Sequence, residues 1–194
     1  MGNSESTGQD PPWKNGWYSL AQRLESPNFG PRPPHVSVDL IVIHSISLPP
    51  GIYGGNNVQR FLTNQLPWDE HPYYETIQGL EVSCHFYIDR EGVSWQFVSC
   101  DDRAWHAGIS TYRGRDNCND YSIGIELEGL DGDTFEAVQY KALGNLCIDL
   151  KAHYPIAQVT GHEQVAPGRK FDPGKGFDWH LLQKILGWSA KCFP

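Results

Sequence analysis

Along the chain, short runs with strand character alternate with longer stretches of helical spacing. Val36 to Ile46 (VSVDLIVIHSI) is dense in β-branched residues and reads as a buried strand ending at His44. Leu48 to Asn57 (LPPGIYGGNN) interrupts it with Pro and Gly and reads as a loop. Val58 to Leu66 then places Val58, Phe61, Leu62 and Leu66 on one helical face. Val82 to Asp89 and Val93 to Ser99 are strand-like runs joined at Arg90-Glu91-Gly92, a hairpin signal. Ser122 to Glu128 (SIGIELE) alternates cleanly, with Ile123, Ile125 and Leu127 on one side and Gly124, Glu126 and Glu128 on the other. Phe135 to His153 has the pattern of a long amphipathic helix. Val159 ends a short strand before the Gly-rich segment Gly161 to Gly176, and Phe177 to Trp188 closes the chain as a helix.

Strands and helices interleave around one hairpin, which predicts an α+β fold: a mixed central β-sheet flanked by helices. Residues 1–16 are polar and read as a tail, Ser26 to Pro34 (SPNFGPRPP) as an extended lead-in, and residues 17–194 as one domain. A chain of 194 residues buries one core comfortably without disulfides.

Composition narrows the classes of function. The net charge of −8 disfavours nucleic acid and anionic membrane surfaces as partners. No apolar run approaches the roughly 20 residues of a membrane-spanning helix. The N-terminus lacks the basic and apolar regions of a secretory signal. Its Met1-Gly2-Asn3-Ser4-Glu5-Ser6 fits the short myristoylation pattern, as polar termini often do by chance. Cys84, Cys100, Cys118, Cys147 and Cys192 are odd in number and form no C-x-x-C pair, which argues against a disulfide framework and points to the reducing cytoplasm. Seven Trp and nine Tyr suit stacking on sugar rings.

Candidate chemistry gathers in Thr160 to Gly174 (TGHEQVAPGRKFDPG), where His162, Lys170 and Asp172 share one loop rich in Gly and Pro. His and carboxylate are ligands zinc accepts, and a catalytic zinc keeps three protein ligands plus water. His44, at the end of a buried strand, is the best candidate for the third ligand. Each residue also has a plainer reading: a hydrogen-bonded histidine for His44, a turn initiator before Pro173 for Asp172, a surface charge for Lys170. Glu126 belongs either to a solvated strand face or to a carboxylate facing the metal as a proton acceptor. Trp105 is either core packing or a platform for a sugar. His85 and His153 sit inside predicted elements and read as structural.

Taken together, VIHSISLPPG (42–51), HPYY (71–74), VSCHF (82–86), RAWHAG (103–108), CNDYSIGIELEG (118–129), TGHEQVAPGRKFDPG (160–174) and FDW (177–179) resemble the AmpD-type 1,6-anhydro-N-acetylmuramyl-L-alanine amidases. These are related to phage amidase lysozymes and peptidoglycan-recognition proteins. The stretches follow family order through most of residues 17–188, and it is their combination that is specific.

The resemblance implies one Zn2+ per chain held by His44, His162 and Asp172, with catalytic roles for Glu126 and Lys170. It implies a small muropeptide as substrate, with no obligate protein partner. Trp105, His106 and Arg115 are carried as substrate contacts, with Arg103 and Arg113 as alternatives to Arg115. Ser45 stands where the family usually has asparagine, and Glu81 and Asn117 stand where enteric members carry arginines for the peptide carboxylates, so that part of the carry-over fails. Rival expectations are a lytic amidase acting on intact wall and a non-catalytic peptidoglycan-binding module.

Overall fold

The computed structural model describes residues 12–194. It opens with a small hairpin of β1 (Trp13–Lys14) and β2 (Trp17–Tyr18), followed by β3 (Gln22–Arg23) and β4 (Phe29–Pro31). The first long strand is β5 (Leu40–Ile46), and helices α1 (Asn57–Leu62) and α2 (Pro72–Thr76) follow it. Next come β6 (Phe86–Ile88), β7 (Ser94–Gln96), β8 (Asp102–Ala104) and a second small hairpin, β9 (Thr111–Tyr112) with β10 (Arg115–Asp116). The rest is β11 (Ser122–Glu128), α3 (Ala137–His153), β12 (Gln158–Gly161), α4 (His162–Val165) and α5 (Trp179–Leu186).

Six strands form the central sheet in the order β12-β5-β11-β6-β7-β3. β12, β5, β11 and β6 run parallel, whereas β6 and β7 form the antiparallel hairpin expected around Gly92. The mixed sheet matches the sequence expectation. The two long parallel strands lie at its centre, where both faces are covered, as such strands require.

The two faces differ. Ile41 and Ile43 of β5 and Ile123, Ile125 and Leu127 of β11 are fully buried against α3 and α5. Burying each of these side chains contributes about 1.5–3 kcal/mol. α3 meets the sheet through Tyr140, Leu143, Leu146, Cys147 and Leu150, the spacing of one helical face. Its Gly144 allows α5 close, since a Cβ there would lie 2.5 Å from the Ile185 Cγ2. α3 starts with a capping box of Glu136 and Gln139, and α5 ends at Gly187 in the left-handed region (φ 63°). The opposite face packs on α1, α2 and the loop after β8, with Val58, Phe61, Leu62, Tyr74 and Tyr87 in its apolar part.

Several boundaries move. Val36 to Asp39 precede the strand, and Val82 to His85 lie outside the ladder although the His85 amide still donates to the Gly124 carbonyl (3.0 Å). The lead-in at 26–34 contains β4, which pairs with β8. The proposed tail falls on residues 1–11, which lie outside the described residues, and on 12–16, which do not behave as a tail. Trp13 is only 7% exposed, packed against Tyr18 and Phe86 in the main core. A run of polar neighbours masked one aromatic anchor.

Candidate metal and catalytic site

The site forms at the C-terminal ends of the parallel strands, where open sheets commonly leave a crevice. Along β5, Leu40, Val42 and His44 share the face opposite α3 and α5. His44 therefore points into the loop-covered side. The parallel register sets Glu126 of β11 beside His44. On the other side Gly161 of β12 pairs with Ile43, and the chain turns into α4 with His162 as its first residue. A Cβ on Gly161 would sit 2.8 Å from the Pro173 Cδ, so the 172–173 segment can pack on the turn only because that residue is glycine. The Glu163 amide donates to the Asp172 carbonyl (2.9 Å), tying the loop to the start of α4.

Three acceptor atoms converge there. His44 Nδ1 lies 2.9 Å from His162 Nδ1 and 3.2 Å from Asp172 Oδ2, and His162 Nδ1 lies 3.0 Å from the same oxygen. His44 Nε2 engages His106 Nδ1 at 2.9 Å, and His162 Nε2 faces the Ala107 carbonyl at 3.4 Å. Each ring thus keeps Nδ1 for the shared centre. With both Nε2 protons directed outward, three lone pairs face one another with no donor between them, and a bound cation satisfies all three. Two imidazoles and one carboxylate suit zinc. Among the described residues this is the one grouping of three or more such side chains close enough to hold a metal ion.

Electrostatics agree. Burial, then the neighbouring His162, pushes the His44 pKa down to about 4, so the ring is neutral and able to ligate. The Glu126 pKa rises well above normal, first through burial and then through the Asp172 charge, with Lys170 opposing. Glu126 Oε1 is 3.9 Å from His44 Nδ1, and its Oε2 is buried with no partner. A cavity of about 290 Å³ opens over the cluster, with Trp105, Tyr73, Leu80 and Leu130 around its wall and Lys170 at its side. It is of the size and mixed character that binds small molecules.

Residues 34–175 match the model of the N-acetylmuramoyl-L-alanine amidase family. The chain belongs to this family. It is 45% identical over 175 residues to the 1,6-anhydro-N-acetylmuramyl-L-alanine amidase AmpD of Escherichia coli K12, covering 89% of this chain and 96% of that protein. The crystal structure of a selenomethionine derivative of AmpD superposes with a TM-score of 0.87 at 44% identity, over 89% of this chain and 98% of that one. The E. coli amidase AmiD, solved with the substrate anhydro-N-acetylmuramic acid-L-Ala-D-gamma-Glu-L-Lys, is 30% identical with a TM-score of 0.55, over 76% of this chain and 57% of that one.

Within this amidase fold the sequence-derived residues divide. His44, His162, Asp172, Glu126 and Lys170 come together, and Trp105 lines the same cavity. His106 also borders the cavity, but both its ring nitrogens are taken by protein: Nδ1 by His44, and Nε2 by Ser122 Oγ at 3.1 Å. It braces a candidate ligand instead of offering a hydrogen bond to substrate. Arg115 is not brought to the site. It binds both oxygens of Asp39 (2.9 and 2.7 Å) and lies over the Tyr121 ring, away from the cavity. Arg103 is likewise bound to Asp120. Sequence reasoning missed Ser122 and Tyr73. Tyr73 stood within the HPYY stretch, whereas nothing local distinguished Ser122 from an ordinary strand residue.

The alternation in β11 resolves in a third way. Its polar face is not solvated: Ser122 is fully buried and Glu128 is 2% exposed, accepting from the backbone amides of Gly54 (2.5 Å) and Arg90 (3.1 Å). His85 is structural, as expected. Its Nδ1 accepts from the Gly124 amide (3.0 Å) and its Nε2 reaches the Asp102 carbonyl (3.1 Å).

Proposed function

We propose that this protein hydrolyses the amide bond between N-acetylmuramic acid, in its anhydro form, and L-alanine in peptidoglycan fragments, with one Zn2+ held by His44, His162 and Asp172. Family membership supports the reaction class, and the high identity to AmpD over nearly its whole length supports the anhydro-muropeptide as substrate. The observation that carries the mechanism is Glu126, placed by strand register beside the three converging acceptors with one carboxylate oxygen unpartnered.

A zinc ion bound there supplies a Lewis-acidic centre that activates water and polarises the scissile carbonyl. Glu126 takes the proton of the attacking water and returns it to the departing alanine amine. Lys170, on the cavity wall, offers its ammonium to the charge that develops on the carbonyl oxygen, a role worth a few kcal/mol (about 3–4 for one lost donor). Trp105 and Leu80 provide flat and apolar surface for the sugar and stem. Five cysteines without a disulfide fit a cytoplasmic enzyme of cell-wall recycling.

Mass spectrometry of anhydro-muramyl-tripeptide incubated with the protein, with and without a zinc chelator, tests this. Release of free tripeptide that the chelator abolishes is the expected result. Release only from purified sacculi transfers the activity to intact wall, and no release from either substrate overturns the amidase reading.

A further inference from the structure

His44 has two nitrogens and only one can face a metal, so its tautomer must be set by something. We infer that Ser122 and His106 form a relay through which the backbone carbonyl of Cys118 decides that tautomer. This rests on the metal reading of the cluster.

The direction of the chain is set at its shorter end, where Ser122 Oγ lies closer to Cys118 O (2.6 Å) than to His106 Nε2 (3.1 Å). A carbonyl oxygen can only accept, so the Ser122 hydroxyl donates to Cys118 O (2.6 Å). With its proton committed, Ser122 Oγ accepts from His106 Nε2 (3.1 Å). His106 then carries its proton on Nε2, and its Nδ1 is a lone pair that accepts from His44 Nε2 (2.9 Å). His44 is left with a bare Nδ1 aimed at His162 and Asp172. Reversing the Ser122–His106 bond alone would break the 2.6 Å bond and leave Cys118 O with the longer one from the Tyr121 amide (3.2 Å), and reversing the His106–His44 bond alone would set two N–H groups against each other.

The relay is built in, not merely adjacent. Ser122 is fully buried and His106 is 8% exposed, so water does not substitute freely for either partner. The rings of His44 and His106 meet edge to face at 86°. Asn119 Oδ1 accepts from the amides of His106 (3.1 Å) and Ala107 (2.8 Å), holding the loop that carries the ring. Beneath it lies Gly124, where a Cβ would stand 2.4 Å from His106 Cγ. The bare position in the alternation of β11 is thereby the seat of the imidazole. His106 is a positioning residue, acting through His44.

The test uses the full chain, metal-free and zinc-loaded. Long-range 15N–1H correlation spectra of the metal-free protein report which nitrogen of His44 holds the proton, and competition with a chromophoric chelator reports zinc affinity. In the metal-free wild type His44 is expected to be protonated at Nε2. Ser122→Ala and His106→Leu should mix the tautomers and weaken zinc about 10–100-fold, the usual effect of removing a ligand's outer partner. His106→Asn, whose Oδ1 can stand in for Nδ1 as acceptor, should recover most of that loss, which a purely space-filling role would not do. Ser122→Ala changes one atom in a small side chain and carries the test if His106→Leu does not fold. A His44 proton on Nδ1 in the metal-free wild type, or zinc affinity within twofold of wild type in folded Ser122→Ala, overturns the relay. A wild type that binds no zinc but has His44 protonated at Nε2 overturns the metal reading and leaves the relay standing.

Discussion

β11 has two faces, and they are held by different physics. Ile123, Ile125 and Leu127 face α3 and α5 and are buried completely, in a layer where shape and apolar area decide everything. Ser122, Gly124, Glu126 and Glu128 face the loops, and there Ser122 and Glu128 are buried and Glu126 half-buried beside one bare position. On the first face a side chain of similar volume is a tolerable exchange. On the second, the side chains of Ser122 and Glu128 have hydrogen-bond partners, whereas Glu126 Oε2 is buried without one. Burying a polar atom without a partner costs stability, and such atoms are most often retained where chemistry uses them. The comparison teaches that one strand can carry the core on odd positions and a candidate catalytic carboxylate on an even one.

The sharpest way to separate the faces is Glu126→Gln. It should leave zinc stoichiometry intact while turnover falls about 10²–10⁴-fold, the range for a lost acid–base group; near-normal turnover would remove Glu126 from the proton-transfer role. Asp172→Ala should abolish stoichiometric zinc under mild chelation, read by atomic absorption, and retained zinc would exclude it as a ligand. Ile125→Ala on the opposite face should act on stability instead. A loss of about 2–5 kcal/mol in urea unfolding is expected, with the zinc affinity of the remaining folded protein unchanged.

Smaller effects refine the polar face. Gly124→Ala forces a methyl into the His106 ring and should cost about 1–3 kcal/mol of overpacking, together with a measurable loss of zinc affinity. Stability without zinc affected would show that the ring can shift freely. The last is a pH effect at His85, beneath this face. Burial, then the Arg32 charge, pushes its pKa well below the usual value, so the folded chain resists the proton that the unfolded chain accepts. Its contribution is present above pH 6.5 and is lost as the pH falls below it, at up to about 1.4 kcal/mol per pH unit. Urea unfolding at pH 7, 6 and 5 should show a shallower acid loss in His85→Gln than in wild type. Equal slopes would show that His85 takes up its proton without unfolding.

Much of this was legible in the sequence because the relevant signals are local. The alternation at 122–128 marks β11 to the residue, and the spacing at 135–153 lies within two residues of α3. His162, Lys170 and Asp172 lie in one short segment, so their proximity is a matter of short chain length. Boundaries at 36–39 and 82–85 moved because strand propensity does not reveal where a ladder partner stops. Trp13 was hidden among polar neighbours, and its burial depends on Phe86, distant in sequence.

The sequence by itself therefore determined the longer elements, the family resemblance and the segment that holds two of the three candidate ligands, because periodicity and short-range spacing are written residue by residue. Only the tertiary structure decided that β5 and β11 run parallel with His44 beside Glu126, that the polar face of β11 is covered, that His106 turns toward His44, and that Arg115 spends its charge on Asp39. Those outcomes depend on register and on which surface closes over which face. Both are set by the packing of segments far apart along the chain.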